Sequence, residues 1–318
     1  MQEKKIALID SDTLVYRAAI LIDERYITVK HIPTGKTKDF SNKTEFKDFI
    51  ELRGKDPRDY EIIHEGMREN EPVQNACHIV RNSINKIQEQ DWCKEFVLYV
   101  GGTGNYRKTL YPSYKGNRTV KPTRYQDVYN FLLNKYKDAV VVCNNAEAED
   151  HVAAYNTYYV QQALEKYGDA KRSEAVMLAI DKDLDQIIGW RANYDHLEKG
   201  MWFQEDLYCY RRFCEQLLIG DPTDNIEGLK GLTEVSKAKY KIKYNGIGKK
   251  TAESLMQSSE DKKALMDIVV DLYKDTYGEN WKMKLNTVGV LVKIRNYLEE
   301  PYWNIDLHCV EQGWDLYD

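Results

Sequence analysis

The chain has 318 residues, 31% of them charged and 42% hydrophobic, with a formal net charge of −5. That balance describes a soluble globular protein with ample length for a core. A net acidic total argues against a uniformly basic polyanion binder, so nucleic-acid binding would require bases clustered apart from the acids.

In chain order, a short apolar strand is predicted over residues 6–9 and a helix over 13–22. Residues 25–40 alternate around Tyr26-Ile27-Thr28-Val29 and contain Thr34-Gly35, the pattern of a hairpin. From 52 to 72 the chain is charged and weakly periodic, which predicts irregular or helical cover. A helix over 73–90 places Ala76, Ile79, Val80, Ile84 and Ile87 at helical spacing and leads to a strand at 96–100. Helices over 125–136 and 149–167 precede strands at 139–143 and 175–180. These strands are nearly continuous in hydrophobicity, as burial on both faces requires, and their alternation with helices predicts a parallel α/β sheet. Beyond Tyr210 strand signals fade. The expected domains are 1–210 and a smaller, mainly helical region, 211–318.

Acids recur where these strands end. The first strand stops at Asp10; the third is followed by Asn144-Asn145-Ala146-Glu147-Ala148-Glu149-Asp150; the fourth runs into Asp181-Lys182-Asp183. Asp221 and Asp224 sit three apart in GDPTDN. Ligands of a parallel sheet bind beyond the carboxyl ends of its strands, and converging carboxylates repel unless cations neutralise them. Oxygen-only ligands favour Mg²⁺ or Mn²⁺, and a pair of such ions can hold the attacking and leaving oxygens of a phosphodiester. Each acid also has a plainer role. Asp10 or Asp12 could cap a helix, Glu147, Glu149 and Asp150 suit a helix N-terminus, and Asp221 and Asp224 suit a turn. Four acidic sites at strand ends together favour the metal reading.

Bases cluster in two tracts. The first runs from Asn105 to Arg118 through Arg107, Lys108, Tyr114 and Lys115, and continues to Lys121 and Arg124. It holds no acid, and its alternating tyrosines and bases suit stacking and phosphate contact. The second comprises Lys237, Lys239, Lys241 and Lys243, leading into Gly246-Ile247-Gly248-Lys249-Lys250. A Gly-x-Gly turn opening a helix presents backbone N–H groups to phosphate.

These motifs together resemble the 5′→3′ exonuclease and flap endonuclease family, especially its phage members. The matching segments are LIDSD (8–12), NYRKTLYPSYKGNR (105–118), EAED (147–150), DKDLDQI (181–187), GDPTDNIEG and GIGKKTA (246–252). The resemblance implies a PIN-like α/β fold with a helical arch near 105–125 and a helix–three-turn–helix in the C-terminal region. It implies two Mg²⁺ or Mn²⁺ ions held, directly or through water, by Asp10, Glu147, Glu149, Asp150, Asp181, Asp183, Asp221 and Asp224. Lys115 and Arg118 would orient and neutralise the scissile phosphate, assisted by Tyr114 and Arg107. The turn from Gly246 to Lys250 would grip duplex DNA, with K⁺ as a candidate ion there. The implied substrate is DNA with a 5′ end or flap, or an RNA–DNA hybrid, and the implied setting is phage DNA replication. The chain departs from the family pattern twice. Gly102 stands where an aspartate is usual, and 232–245 are inserted within the DNA-gripping motif.

Two rival readings remain. One is a non-catalytic DNA-structure-binding member of the family. The other is a haloacid dehalogenase-like phosphatase, from Asp10-Ser11-Asp12-Thr13, which leaves the basic tracts unexplained. Six cysteines without CxxC spacing, and six scattered histidines, predict free thiols in a reducing compartment and no zinc site. No apolar stretch reaches membrane-spanning length and the N-terminal one is too short for a signal sequence, so a cytoplasmic location is expected, the host cytoplasm if a phage encodes the chain.

Overall fold

A computed structural model describes residues 4–117 and 121–317. In chain order its elements are β1 (Lys5–Asp10), α1 (Asp12–Leu21), β2 (Asp23–His31), β3 (Thr37–Phe40), α2 (Lys43–Leu52), β4 (Tyr60–Glu69), α3 (Val73–Gln88), β5 (Cys93–Gly101), α4 (Tyr106–Leu110) and α5 (Tyr125–Lys135). There follow β6 (Val140–Cys143), α6 (Ala148–Tyr167), β7 (Ala175–Leu178), β8 (Gly189–Ala192), β9 (Trp202–Gln204), α7 (Asp206–Ile219) and a two-residue ribbon, β10 (Gly220–Asp221) with β11 (Ile226–Glu227). The chain closes with α8 (Glu234–Tyr240), α9 (Lys249–Met256), α10 (Lys262–Tyr277), α11 (Trp281–Val292) and α12 (Ile305–Gln312).

The chain separates into two compact units, one of residues 1–11, 87–117 and 141–318, the other of 12–86 and 118–140. This division does not follow the expected boundary at 210/211, which lies inside α7. The reason is continuity of packing. Tyr210, Phe213, Cys214, Leu217 and Leu218 on α7 share one core with Leu265, Val269, Trp281, Leu285 and Trp303.

In the first unit the fold is α/β, as expected, with a six-stranded sheet ordered β6-β5-β1-β7-β8-β9. β1 pairs in parallel with β5 and β7, and β7 with β8, while β9 closes the edge antiparallel. Every residue of β1 is buried, including Lys5, whose ammonium reaches the Ser173 carbonyl at 2.5 Å. α6 covers the sheet with Ala148, Val152 and Ala153 against Leu8, Tyr99 and Met177. β8 and β9, three to four residues each, gave no sequence signal, because a short strand with Arg191 at its centre lacks an apolar run.

The second unit carries an antiparallel sheet, β3-β2-β4. The predicted hairpin is β2 with β3. β4 corrects the expectation of irregular or helical cover over 52–72: it pairs with β2 from Asp23↔Glu69 to His31↔Tyr60. It is an edge strand, exposed along most of its length, so it has no alternation to read. Phe46 and Phe49 pack on Ile27, Val29 and Phe40 and fix the sheet's covered face.

Candidate active site

Some of the acids lie at the carboxyl ends of parallel strands, and Asp221 and Asp224 lie on the turn that follows α7. Asp10 is the last residue of β1 and is buried. Asp181 and Asp183 follow β7, and Asp183 opens a 3-10 turn to Gln186. Asp221 caps a second such turn, accepting from the Thr223 and Asp224 N–H groups at 2.8 and 3.4 Å. This capping role coexists with a second one. One carboxylate oxygen from each of Asp183, Asp221 and Asp224 lies within 4.8 Å of the others, a separation one cation can span.

The electrostatics of this cluster are those of acids crowded together. Burial and then the charges of Asp181, Asp221 and Asp224 push Asp183 up to about 7, against a hydrogen bond from Gln216. Burial, Asp183 and Glu147 raise Glu149 well above the usual carboxylate range. Both shifts reflect crowded negative charge that a divalent cation would offset, and the donor set is all oxygen.

Beside it lies a second set in which acids and bases are matched. Arg107 is 1% exposed and meets Asp150, itself 0% exposed, in a two-point pair at 2.6 and 3.0 Å. Its remaining N–H groups reach the Leu291 and Lys293 carbonyls at 3.0 and 2.8 Å. Asp150 also accepts the Glu147 and Arg295 N–H groups, completing a capping box at the start of α6. Both Asp150 carboxylate oxygens are thus engaged by protein donors. Arg107 likewise ties α4 to α6 and to the C-terminal end of α11.

Glu147 is shared between the two sets. Its carboxylate accepts from Tyr114 Oη at 2.9 Å, Asn105 Nδ2 at 3.0 Å and the Lys115 ammonium. Burial alone would raise its pKa, but Lys115 and Arg107 outweigh that and hold it at about 2. Lys115 lies 3.5 Å from Asp224, and Tyr114 Oη lies 3.1 Å from Asp224, so its single hydrogen is shared between Glu147 and Asp224. Burial would lower the Lys115 pKa, but Glu147, Glu149 and Asp224 raise it above the usual range, so it is a fixed cation.

The basic tract is fastened to the acidic turn. Lys115 N–H donates to the Asp224 carbonyl at 2.8 Å, Asn225 Nδ2 to the Ser113 carbonyl at 2.8 Å, and Asn117 Nδ2 to the Pro222 carbonyl at 3.0 Å. Lys115 adopts φ 56°, a conformation that costs a side-chain-bearing residue and persists because these bonds hold it. Arg118 lies outside the described residues.

At Gly102 a side chain would require Asn144 and Val142 to shift. A Cβ there would stand 2.4 Å from Asn144 Oδ1 and 3.0 Å from the Cys143 carbonyl. Asn144 crosses the end of β5 instead and accepts from the Thr103 N–H at 2.9 Å. Sequence reasoning missed three buried polar groups. Arg191, under Asp181, donates to the Ala179 and Asp181 carbonyls at 3.0 and 2.5 Å. Gln186 and Gln216 stand behind Asp183. Amides and an arginine inside apolar stretches carry no pattern that marks them.

Gly248 caps α9, leaving Lys249 and Lys250 exposed in its first turn, and Gly246 bridges to Lys230. The inserted segment folds as α8, where Lys237 pairs with Glu234 at 2.8 Å and Lys239 with Asp271 at 2.9 Å. Those two lysines are thus partly neutralised, whereas Lys241 and Lys243 are exposed. Lys108 is also exposed; in the second unit Arg124 pairs with Asp127 at 2.6 Å, and Lys121 lies 6.0 Å from the Tyr125 ring.

No family model matches the chain. It is 25% identical over 183 residues, 56% of its length, to the thermostable DNA polymerase I of Thermus caldophilus, and 26% identical over 202 residues, 62% of its length, to that of Thermus aquaticus. It spans only 21–22% of the length of these relatives. Among solved structures it is similar to the T5 D15 protein co-crystallised with metal ions, at a TM-score of 0.38 and 13% identity, over 68% of this chain and 93% of that one. It is similar also to the bacteriophage T5 D15 flap endonuclease in a complex with DNA and metal ions, at a TM-score of 0.36 and 14% identity, over 68% and 90%.

Proposed function

We propose that the chain is a divalent-metal-dependent nuclease that hydrolyses DNA phosphodiesters near a 5′ end or flap, as in the removal of primers or flaps during phage replication. The observation that carries this reading is the Asp183–Asp221–Asp224 cluster joined, through Asp224, to a lysine and a tyrosine on a basic tract.

Asp183, Asp221 and Asp224 would hold one Mg²⁺ or Mn²⁺, with Glu149 and Asp181 beside them, and Asp10 at the β1 end is proposed as a further ligand. Bound cations supply an activated water and charge stabilisation for the leaving oxygen. The chain's own part is to place a phosphate and neutralise it. Lys115 is anchored by Glu147 and strapped at its backbone, so it offers a preorganised positive charge where charge develops in the transition state. Tyr114 holds the two carboxylates that flank that lysine. Arg118, four residues beyond Tyr114, is proposed to share the phosphate. Lys249, Lys250 and the N–H groups of the Gly246–Gly248 turn would contact duplex backbone without reading sequence, with K⁺ as a candidate ion of that turn.

The test is cleavage of a 5′-labelled flap duplex and a blunt duplex with Mg²⁺, with Mn²⁺ and with EDTA. Metal-dependent release of short 5′ fragments is expected. Tight flap binding without cleavage under any metal would instead favour the non-catalytic reading, for which the closed Gly102 position is the specific support.

A further inference from the structure

Behind Asp183 stand two side-chain amides, Gln186 on the turn that Asp183 opens and Gln216 on α7, both 8% exposed. Gln216 Nε2 donates to Asp183 Oδ1 at 2.7 Å. Gln216 Oε1 accepts from Gln186 Nε2. Gln186 is itself fixed at both ends, donating to the Val292 carbonyl at 2.7 Å and accepting from the Ile294 N–H at 3.3 Å. The backbone at the C-terminal end of α11 and just beyond it therefore sets the direction of the Gln186 amide. Gln186 sets that of Gln216, and Gln216 can only present its N–H₂ to Asp183. An amide has two faces of opposite polarity, so this chain of bonds specifies a donor where a flipped amide would place an oxygen against the carboxylate.

We propose that Gln216, oriented by Gln186, is a positioning residue that holds Asp183 as a divalent-cation ligand against the repulsion of Asp221 and Asp224. The inference rests on the reading of those three acids as a cation site. A hydrogen bond from a fixed donor holds the rotamer of the carboxylate, the property a ligand needs before the cation arrives. Gln216 touches neither DNA nor cation in this role; it acts only through Asp183.

The experiment is calorimetric titration of Mn²⁺ into the full chain and into Gln216→Leu, Gln216→Glu and Asp183→Ala, with duplex binding in EDTA and thermal melting as checks of folding. Gln216→Leu removes the donor. Gln216→Glu keeps the acceptor for Gln186 and turns an acceptor on Asp183. Both are expected to weaken Mn²⁺ binding by about 10- to 100-fold, the usual effect of losing a partner that orients a ligand, while duplex binding in EDTA is unchanged. Wild-type Mn²⁺ affinity in both Gln216 variants, with affinity lost in Asp183→Ala, overturns the inference and leaves the cation site standing. Loss of affinity that merely follows loss of folding in both variants overturns it too. Failure of the wild-type chain to bind Mn²⁺, or equal binding by Asp183→Ala, removes the cation site and this inference with it.

Discussion

The two halves of the site hold the same kind of side chain under opposite conditions. In one, Asp150 and Glu147 meet Arg107 and Lys115, and Glu147 is held at about 2. In the other, Asp183 faces Asp181, Asp221 and Asp224 and is pushed up to about 7. Within the first half Arg107 and Asp150 form a structural joint, in which removing either leaves a buried charge unmatched. The second is a site under stress that a cation would relieve. A carboxylate's role in such a centre is thus set by what its neighbours leave unsatisfied, not by its place in a motif.

Substitutions should separate the halves. The largest effect is expected from Asp183→Ala, which should reduce metal-dependent cleavage by at least about 10³-fold by emptying the cation site. In EDTA the same change should leave stability unchanged or slightly raised, because it removes a repelled charge. Arg107→Ala should do the reverse, lowering stability by about 3–5 kcal/mol in urea unfolding, as expected when one partner of a buried ion pair is lost. Comparable destabilisation by both changes would erase the distinction between the halves.

Lys115→Ala should lower turnover by about 10²-fold while duplex binding at fixed salt stays near wild type. Equal losses in both would remove its transition-state role. The pH dependence of the metal-free protein should show both signs. Glu147 has a depressed pKa, so its stabilising contribution is present above the ordinary glutamate range and is lost as pH falls toward 2. Asp183 has a raised pKa, so its contribution is present below the ordinary aspartate range and is lost as pH rises toward 7. Asp183→Asn should abolish the second slope and keep the first, read from melting temperatures in EDTA. The smallest effect is expected at Asn145, whose φ of 65° would suit glycine; Asn145→Gly should change stability by less than about 1 kcal/mol.

The α/β architecture was legible because β1, β5, β6 and β7 are apolar runs separated by amphipathic helices, and the acids at their ends are local to those runs. What the sequence concealed were relations between distant residues. β4 is a strand only because β2 pairs with it. Arg107 reads as part of a basic tract, yet its partner is Asp150 and its other bonds go to carbonyls nearly two hundred residues away, at Leu291 and Lys293. Gly102 reads as a missing acid; that Asn144 fills the space is a contact across the sheet.

The most direct measurement is thermal melting of the wild-type chain and Asp183→Ala, each in EDTA and in Mn²⁺. A cation site built from Asp183, Asp221 and Asp224 predicts that Mn²⁺ raises the melting temperature of the wild type alone, and that in EDTA the variant melts no lower than the wild type. A variant that melts well below the wild type in EDTA and responds to Mn²⁺ equally would contradict it, and would place Asp183 with Asp150 among the structural acids.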